Sequence, residues 1–113
     1  MAPILDPRAA AETAGALAGC RVRWHGGVAA PLECARPVLA FLAAALFALE
    51  CARGEIVEVA VAQRGTVLHY RLWSAARNPS DIDVAATALA HSAVFASFGA
   101  HADSSTLVLT VRC

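Results

Sequence analysis

The chain has 113 residues, a length that sets one domain as the default and suffices for a core without disulfides or metal. Hydrophobic residues make up 58% and charged residues 16%, which excludes a disordered chain. The formal net charge is zero, which argues against a nucleic-acid binder relying on excess positive charge. Every basic residue is Arg, and Ala is abundant, as in the protein of a GC-rich bacterial genome.

Cysteines stand at Cys20, Cys34, Cys51 and Cys113, with no CxxC pair and no secretion signal. They read as reduced thiols of a cytoplasmic protein, with Cys34 and Cys51 as small core residues. Cys20, His25 and Cys34 match no structural zinc spacing, so neither metal nor cofactor is expected.

Residues 1–19 read as a loose tail followed by a short Ala-rich helix over Arg8–Ala18, which Gly19 ends and which needs something to dock on. Residues 20–113 read as a single α/β domain. Arg21–Trp24 alternates as a half-buried strand, with Val22 and Trp24 inward and Arg21 and Arg23 outward, and His25-Gly26-Gly27 reads as a turn. The central stretch is Pro37–Ala52, apolar without interruption from Pro37 to Leu49. Those 13 residues fall short of the ~20 of a membrane span. Leu, Ala and Phe on every side predict a buried helix covered on more than one face, with Pro37 in its first turn and Gly54 just past its end.

Glu55–Gln63 and Thr66–Ser74 alternate on either side of Arg64-Gly65, which predicts a β-hairpin with a two-residue loop. That loop pairs Val61 with Leu68, Val59 with Tyr70 and Val57 with Leu72 on an inner face. Glu58 then opposes Arg71, Ala60 opposes His69 and Ile56 opposes Trp73 outside. Ser80 with Asp81 and Asp83 predicts a helix start, and Gly99 a stop after Phe98. One broad face of that helix carries Val84, His91, Val94, Phe95 and Phe98, and another Ile82 and Leu89. Residues 101–105 read as a polar turn. Thr106–Arg112 is a last strand, with Leu107, Leu109 and Val111 inward. The expected fold is an α/β (α+β) two-layer sandwich: a mixed or antiparallel sheet of about four strands with two main helices on one face.

The outer sheet face collects Arg21, Arg23, Glu58, His69, Arg71, Trp73, Thr110 and Arg112. Arg and Trp together are typical of protein contact surfaces, whereas a solvated face with one Glu58–Arg71 pair is the plain alternative. Of the four histidines, His91 is the candidate for phosphoryl transfer because the prediction places it on a helix. No Ser-His-Asp, HExxH or GxSxG pattern occurs.

Arg21-Val-Arg-Trp24, the run Leu46–Gly54 and Ser97-Phe-Gly99 ahead of the last strand resemble the C-terminal domain of ChpT-type histidine phosphotransferases of bacterial phosphorelays. The resemblance implies a reduced Bergerat fold, a degenerate ATPase-like domain that uses no ATP. It further implies docking to a response-regulator receiver or a kinase-like signalling partner, and a dimer made by a helical hairpin that carries the phosphorylated His. In this chain only Arg8–Ala18 corresponds to the end of such a hairpin, no His is followed by Asp, and Glu55 follows Gly54 where the family often has a second Gly. ATP-binding relatives hold Mg²⁺-ATP with an Asn on the central helix and DxGxG loops. Here the single Asn is Asn78, and no DxGxG occurs. The leading expectation is a non-catalytic docking domain whose partner-binding residues are Arg21, Arg23, His69, Arg71, Trp73 and Arg112. The alternatives are phosphotransfer on His91 and a structural subunit that dimerises.

Overall fold

The computed structural model describes residues 6–25, 35–49, 54–65, 67–91 and 99–112. Within them, three helices and five strands follow one another as α1 (Pro7–Ala18), β1 (Arg21–His25), α2 (Ala35–Ala48), β2 (Ile56–Arg64), β3 (Val67–Trp73), α3 (Pro79–Ala90), β4 (Gly99–Asp103) and β5 (Thr106–Arg112). The sheet order is β1-β2-β3-β5-β4. β1 runs parallel to β2 across the α2 crossover, and every other pairing is antiparallel. The two-layer α/β expectation holds, with a fifth strand and with α1 as a full third helix.

α1 is short but well terminated. The Asp6 carboxylate accepts from the Arg8 backbone N–H at 3.1 Å, Pro7 occupies the first turn, and Gly19 closes the helix at φ +80°. Its Ala10, Ala11 and Ala14 are buried in the common core. Gly15 lets the helix approach β1: a Cβ there would lie 2.6 Å from Val22 Cγ2. The dock that so short a helix requires is completed by Tyr70, whose buried hydroxyl donates to the Pro7 carbonyl at 3.0 Å. Burial, reinforced by the nearby Asp6 carboxylate, pushes the Tyr70 phenol above its ordinary range.

α2 is packed beside both α1 and α3. Phe41, Leu42, Ala45, Leu46 and Leu49 enter the core, which they share with Val57, Val59, Leu68, Leu72, Leu107 and Leu109 of the sheet. The expected cover on more than one face comes from α1, α3 and the sheet, while one side stays open: Phe47 is 61% exposed, and Ala40 also lies open. No helix among the described residues is long and apolar enough to cross a membrane. The predicted end of this helix at residues 50–52, and Cys34, Cys51 and Cys113, lie outside the described residues, whereas Cys20 is buried in the core.

The hairpin faces are as expected, but its register is displaced by two residues. Val59 opposes Leu72, Val61 opposes Tyr70, Glu58 opposes Trp73 and Ala60 opposes Arg71. The ladder continues to Arg64 opposite Val67, with Gly65 at φ +60° beyond it. A shift of two preserves the inside and outside of every side chain, so hydrophobic alternation cannot detect it.

α3 begins two residues earlier than expected. Asn78, not Ser80, is the cap: its side chain accepts from the Asp81 N–H at 2.9 Å while Asp81 accepts from the Asn78 N–H at 3.1 Å. Ile82, Ala85, Ala86 and Leu89 face the core and Val84 points out, and the helix ends at Ala90 with His91 as its cap. Residues 92–98, which include Val94, Phe95 and Phe98, lie outside the described residues. The segment expected to be a polar turn contributes instead β4, an edge strand, and the turn narrows to Ser104-Ser105. A forked ion pair joins the segment before α3 to the residue before β2: Arg77 donates from Nη2 to Glu55 Oε1 at 2.7 Å and from Nε to Oε2 at 3.2 Å, largely out of solvent.

Candidate functional site

All three helices share one core with the inner face of the sheet, so the odd-numbered residues of β1 and the even-numbered residues of β2 project from the opposite, outer face. Registers across the five strands make this face continuous. One row runs His25–Ala60–Arg71–Val108–His101. The next row on one side begins Arg23–Glu58–Trp73, and on the other side lies Ala62–His69–Thr110–Gly99. Arg21, Arg23, His69, Arg71 and Trp73 therefore belong to a single surface, as the alternation predicted. Arg112 joins it by register opposite Val67; its side chain lies outside the description.

The predicted Glu58–Arg71 pair is replaced by a different cluster. Glu58 Oε1 accepts from Arg23 Nη1 at 3.3 Å and from His25 Nε2 at 3.1 Å. A carboxylate only accepts, so Nε2 carries the proton of this contact. The His25 ring also stacks on Trp73, with centroids 5.4 Å apart and planes 30° from parallel. His25 sits opposite Ala60, and Trp73 is on the strand beyond. The small Ala60 side chain leaves the space through which the imidazole reaches Trp73. His25 was missed in the sequence because Gly26-Gly27 suggested a turn, yet the outward alternation Arg21, Arg23, His25 already marked it.

Beside this cluster lies an open groove of about 590 Å³, lined by Ala60, Ala62, Arg64, His69, Arg71, His101, Asp103 and Val108. Val108 is buried although it belongs to the outer face, because it forms the floor between Arg71 and His101. His101 and Asp103 escaped the sequence reading together with β4.

His91 is not part of this face. It caps α3, on the helical side of the sheet, exposed, with ring Nδ1 donating to the Thr87 carbonyl at 2.9 Å. Asn78 is committed to the capping box of α3. Cys20 lies in the core, while His25 points from the outer face, so these two do not meet as metal ligands. Among the described residues no group of three or more His, Cys, Asp or Glu side chains converges.

The architecture has a solved counterpart. The chain is similar to the histidine kinase AdeS of Acinetobacter baumannii, with a TM-score of 0.58 and 12% sequence identity over 96% of this chain. The fold is histidine-kinase-like. The chain spans 64% of the AdeS chain, less than two thirds of its length. No family model matches the sequence, and no curated protein matches it.

Proposed function

We propose that the chain is a non-catalytic docking domain of a bacterial phosphorelay, related to the C-terminal domain of ChpT-type histidine phosphotransferases. Its partner is a response-regulator receiver or a kinase-like signalling protein. The observation that carries this reading is the continuous outer sheet face. Trp73 shares a row with Glu58 and Arg23, Arg71 stands two residues along its own strand, Arg21 lies on the edge strand of the same face, and the described helices pack on the other side. Arg and Trp are the residues that most often anchor protein interfaces. Trp73 is held ready by the His25 ring and by the Glu58 cluster, so little side-chain freedom is lost on contact. The histidine-kinase-like fold and the sequence resemblance support a signalling role. Binding of immobilised protein to purified receiver domains tests it. Association at on the order of tens of micromolar or tighter is expected, with Trp73→Ala and Arg23→Ala each weakening it. No association of the wild-type chain with any receiver overturns the reading.

One observation favours a second reading, phosphoryl transfer on His91. With Nδ1–H held by the Thr87 carbonyl, the nucleophilic lone pair is fixed on Nε2 of an exposed ring. Incubation with a phosphorylated receiver would then label the protein, and His91→Ala would abolish the label. An unlabelled wild type ends this alternative.

A further inference from the structure

The outer face holds two kinds of arginine. Arg23 meets Glu58, just as Arg8 meets Glu12 and Arg77 meets Glu55 elsewhere in the fold. Arg64 and Arg71 have no hydrogen-bond or ion-pair partner among the described residues, and neither do His69 and His101 beside them. These four side chains converge on one groove, whose floor is the short apolar trio Ala60, Ala62 and Val108. Among the described residues Asp103 is the only carboxylate that lines it. By register Asp103 lies on the far edge strand, diagonally opposite Arg64. The two unpaired guanidinium groups thus lie on β2 and β3, and Asp103 stands with His101 on β4 at the other end.

We propose that this groove binds an acidic segment of the partner protein. Its carboxylates are taken by Arg64 and Arg71, and a hydrogen-bond donor a few residues further along the segment is taken by Asp103. The proposal rests on the docking reading and names the chemistry of the partner. Guanidinium forks match carboxylates in two parallel hydrogen bonds, and the unpaired state of both arginines leaves those bonds to be made on association. The shape favours a chain segment over a small metabolite. The groove crosses from β2 to β4, three strand spacings or about 14 Å, which four or five extended residues cover at ~3.4 Å each. It is open along its length, whereas metabolite sites enclose most of their ligand. Ala60, Ala62 and Val108 offer a surface for the methylene stems of Glu side chains.

The test uses the full 113-residue chain and two fluorescein-labelled octapeptides, one rich in Glu and Asp, the other with Gln and Asn in their place. Anisotropy at low salt is expected to show the acidic peptide binding about tenfold or more tightly than its amide counterpart, with affinity falling as salt is added. Arg64→Gln/Arg71→Gln should remove that preference. Ala62→Phe, which fills the groove and leaves its charge unchanged, should weaken binding as well, while Arg8→Gln on α1, away from this sheet face, should leave it intact. Circular dichroism checks that each variant is folded. Equal binding of the two peptides, or a double variant that binds like wild type, overturns the proposal. Displacement of the acidic peptide by inorganic phosphate at matched ionic strength also overturns it, and assigns the groove to a free oxyanion. Receiver domains that bind wild type and the double variant equally sink the groove and leave the docking reading standing. Peptide binding without receiver binding does the reverse.

Discussion

Gly15→Ala probes the seat of α1 on β1. A Cβ at position 15 would stand 2.6 Å from Val22 Cγ2, and ordinary contact begins near 3.4 Å, so the helix and strand must separate by about 0.8 Å. Val22 cannot rotate away cheaply, because a β-branched side chain in a strand is stiff at χ1. Overpacking of this kind costs about 1–3 kcal/mol. Ala in place of Gly inside a helix returns about 1 kcal/mol. The net expectation is a loss of about 1 kcal/mol, or ~4 °C in Tm for a chain of this size. Val22→Ala removes the obstructing methyl. In that background Gly15→Ala should become neutral or stabilising, with a coupling of about 1–2 kcal/mol between the two sites. Thermal and urea unfolding of the four proteins give the cycle. A Gly15→Ala chain stabilised by the full helix-propensity gain, with no coupling to Val22, would refute the close approach of α1 to the sheet.

Tyr70→Phe leaves the Pro7 carbonyl without its side-chain donor and should cost about 1 kcal/mol. It should also flatten the alkaline limb of the stability curve. The unfolded chain gives up its phenol proton above about pH 10 while folded Tyr70 keeps it, so wild-type stability falls by about 1.4 kcal/mol per pH unit there. Tyr70 is the only tyrosine, so phenolate absorbance should rise only with unfolding, and a rise in the folded state would contradict its burial. Glu55→Gln removes the charge from one side of a forked, largely buried ion pair and should cost about 2–3 kcal/mol in urea unfolding; a change within error would mean that the pair is dispensable. His25→Ala should alter the near-ultraviolet circular dichroism of Trp73 with less than about 1 kcal/mol of stability lost, since the contacts are on the surface. An unchanged spectrum would argue against the stack.

Period-two patterning was enough to sort β1, β2, β3 and β5 into inner and outer residues, and that sorting already assembled Arg21, Arg23, His69, Arg71 and Trp73. Register was not legible, because a displacement of two residues keeps every face intact while exchanging every partner. Glu58 thereby lost Arg71 and gained Arg23 and His25. β4 was hidden because Gly99, Ala100, His101, Ala102 and Asp103 have little strand propensity; pairing with β5 makes them a strand. The true start of α3 was readable in principle. Asn78-Pro79 is a cap followed by a first-turn proline, and Ser80 distracted from it. Lack of polar residues marked the central helix as covered on more than one face, but apolar composition did not say which side stays open, the side that Phe47 occupies.

The central claim is that the sheet face opposite the helices docks the partner. Its most direct test is amide chemical-shift mapping of the labelled chain titrated with a receiver domain. The account predicts shifts concentrated on β1, β2 and β3, with the Trp73 indole N–H among the most affected and α1 and α2 nearly silent. Shifts centred on α1, α2 or Phe47, with a silent outer face, would contradict it.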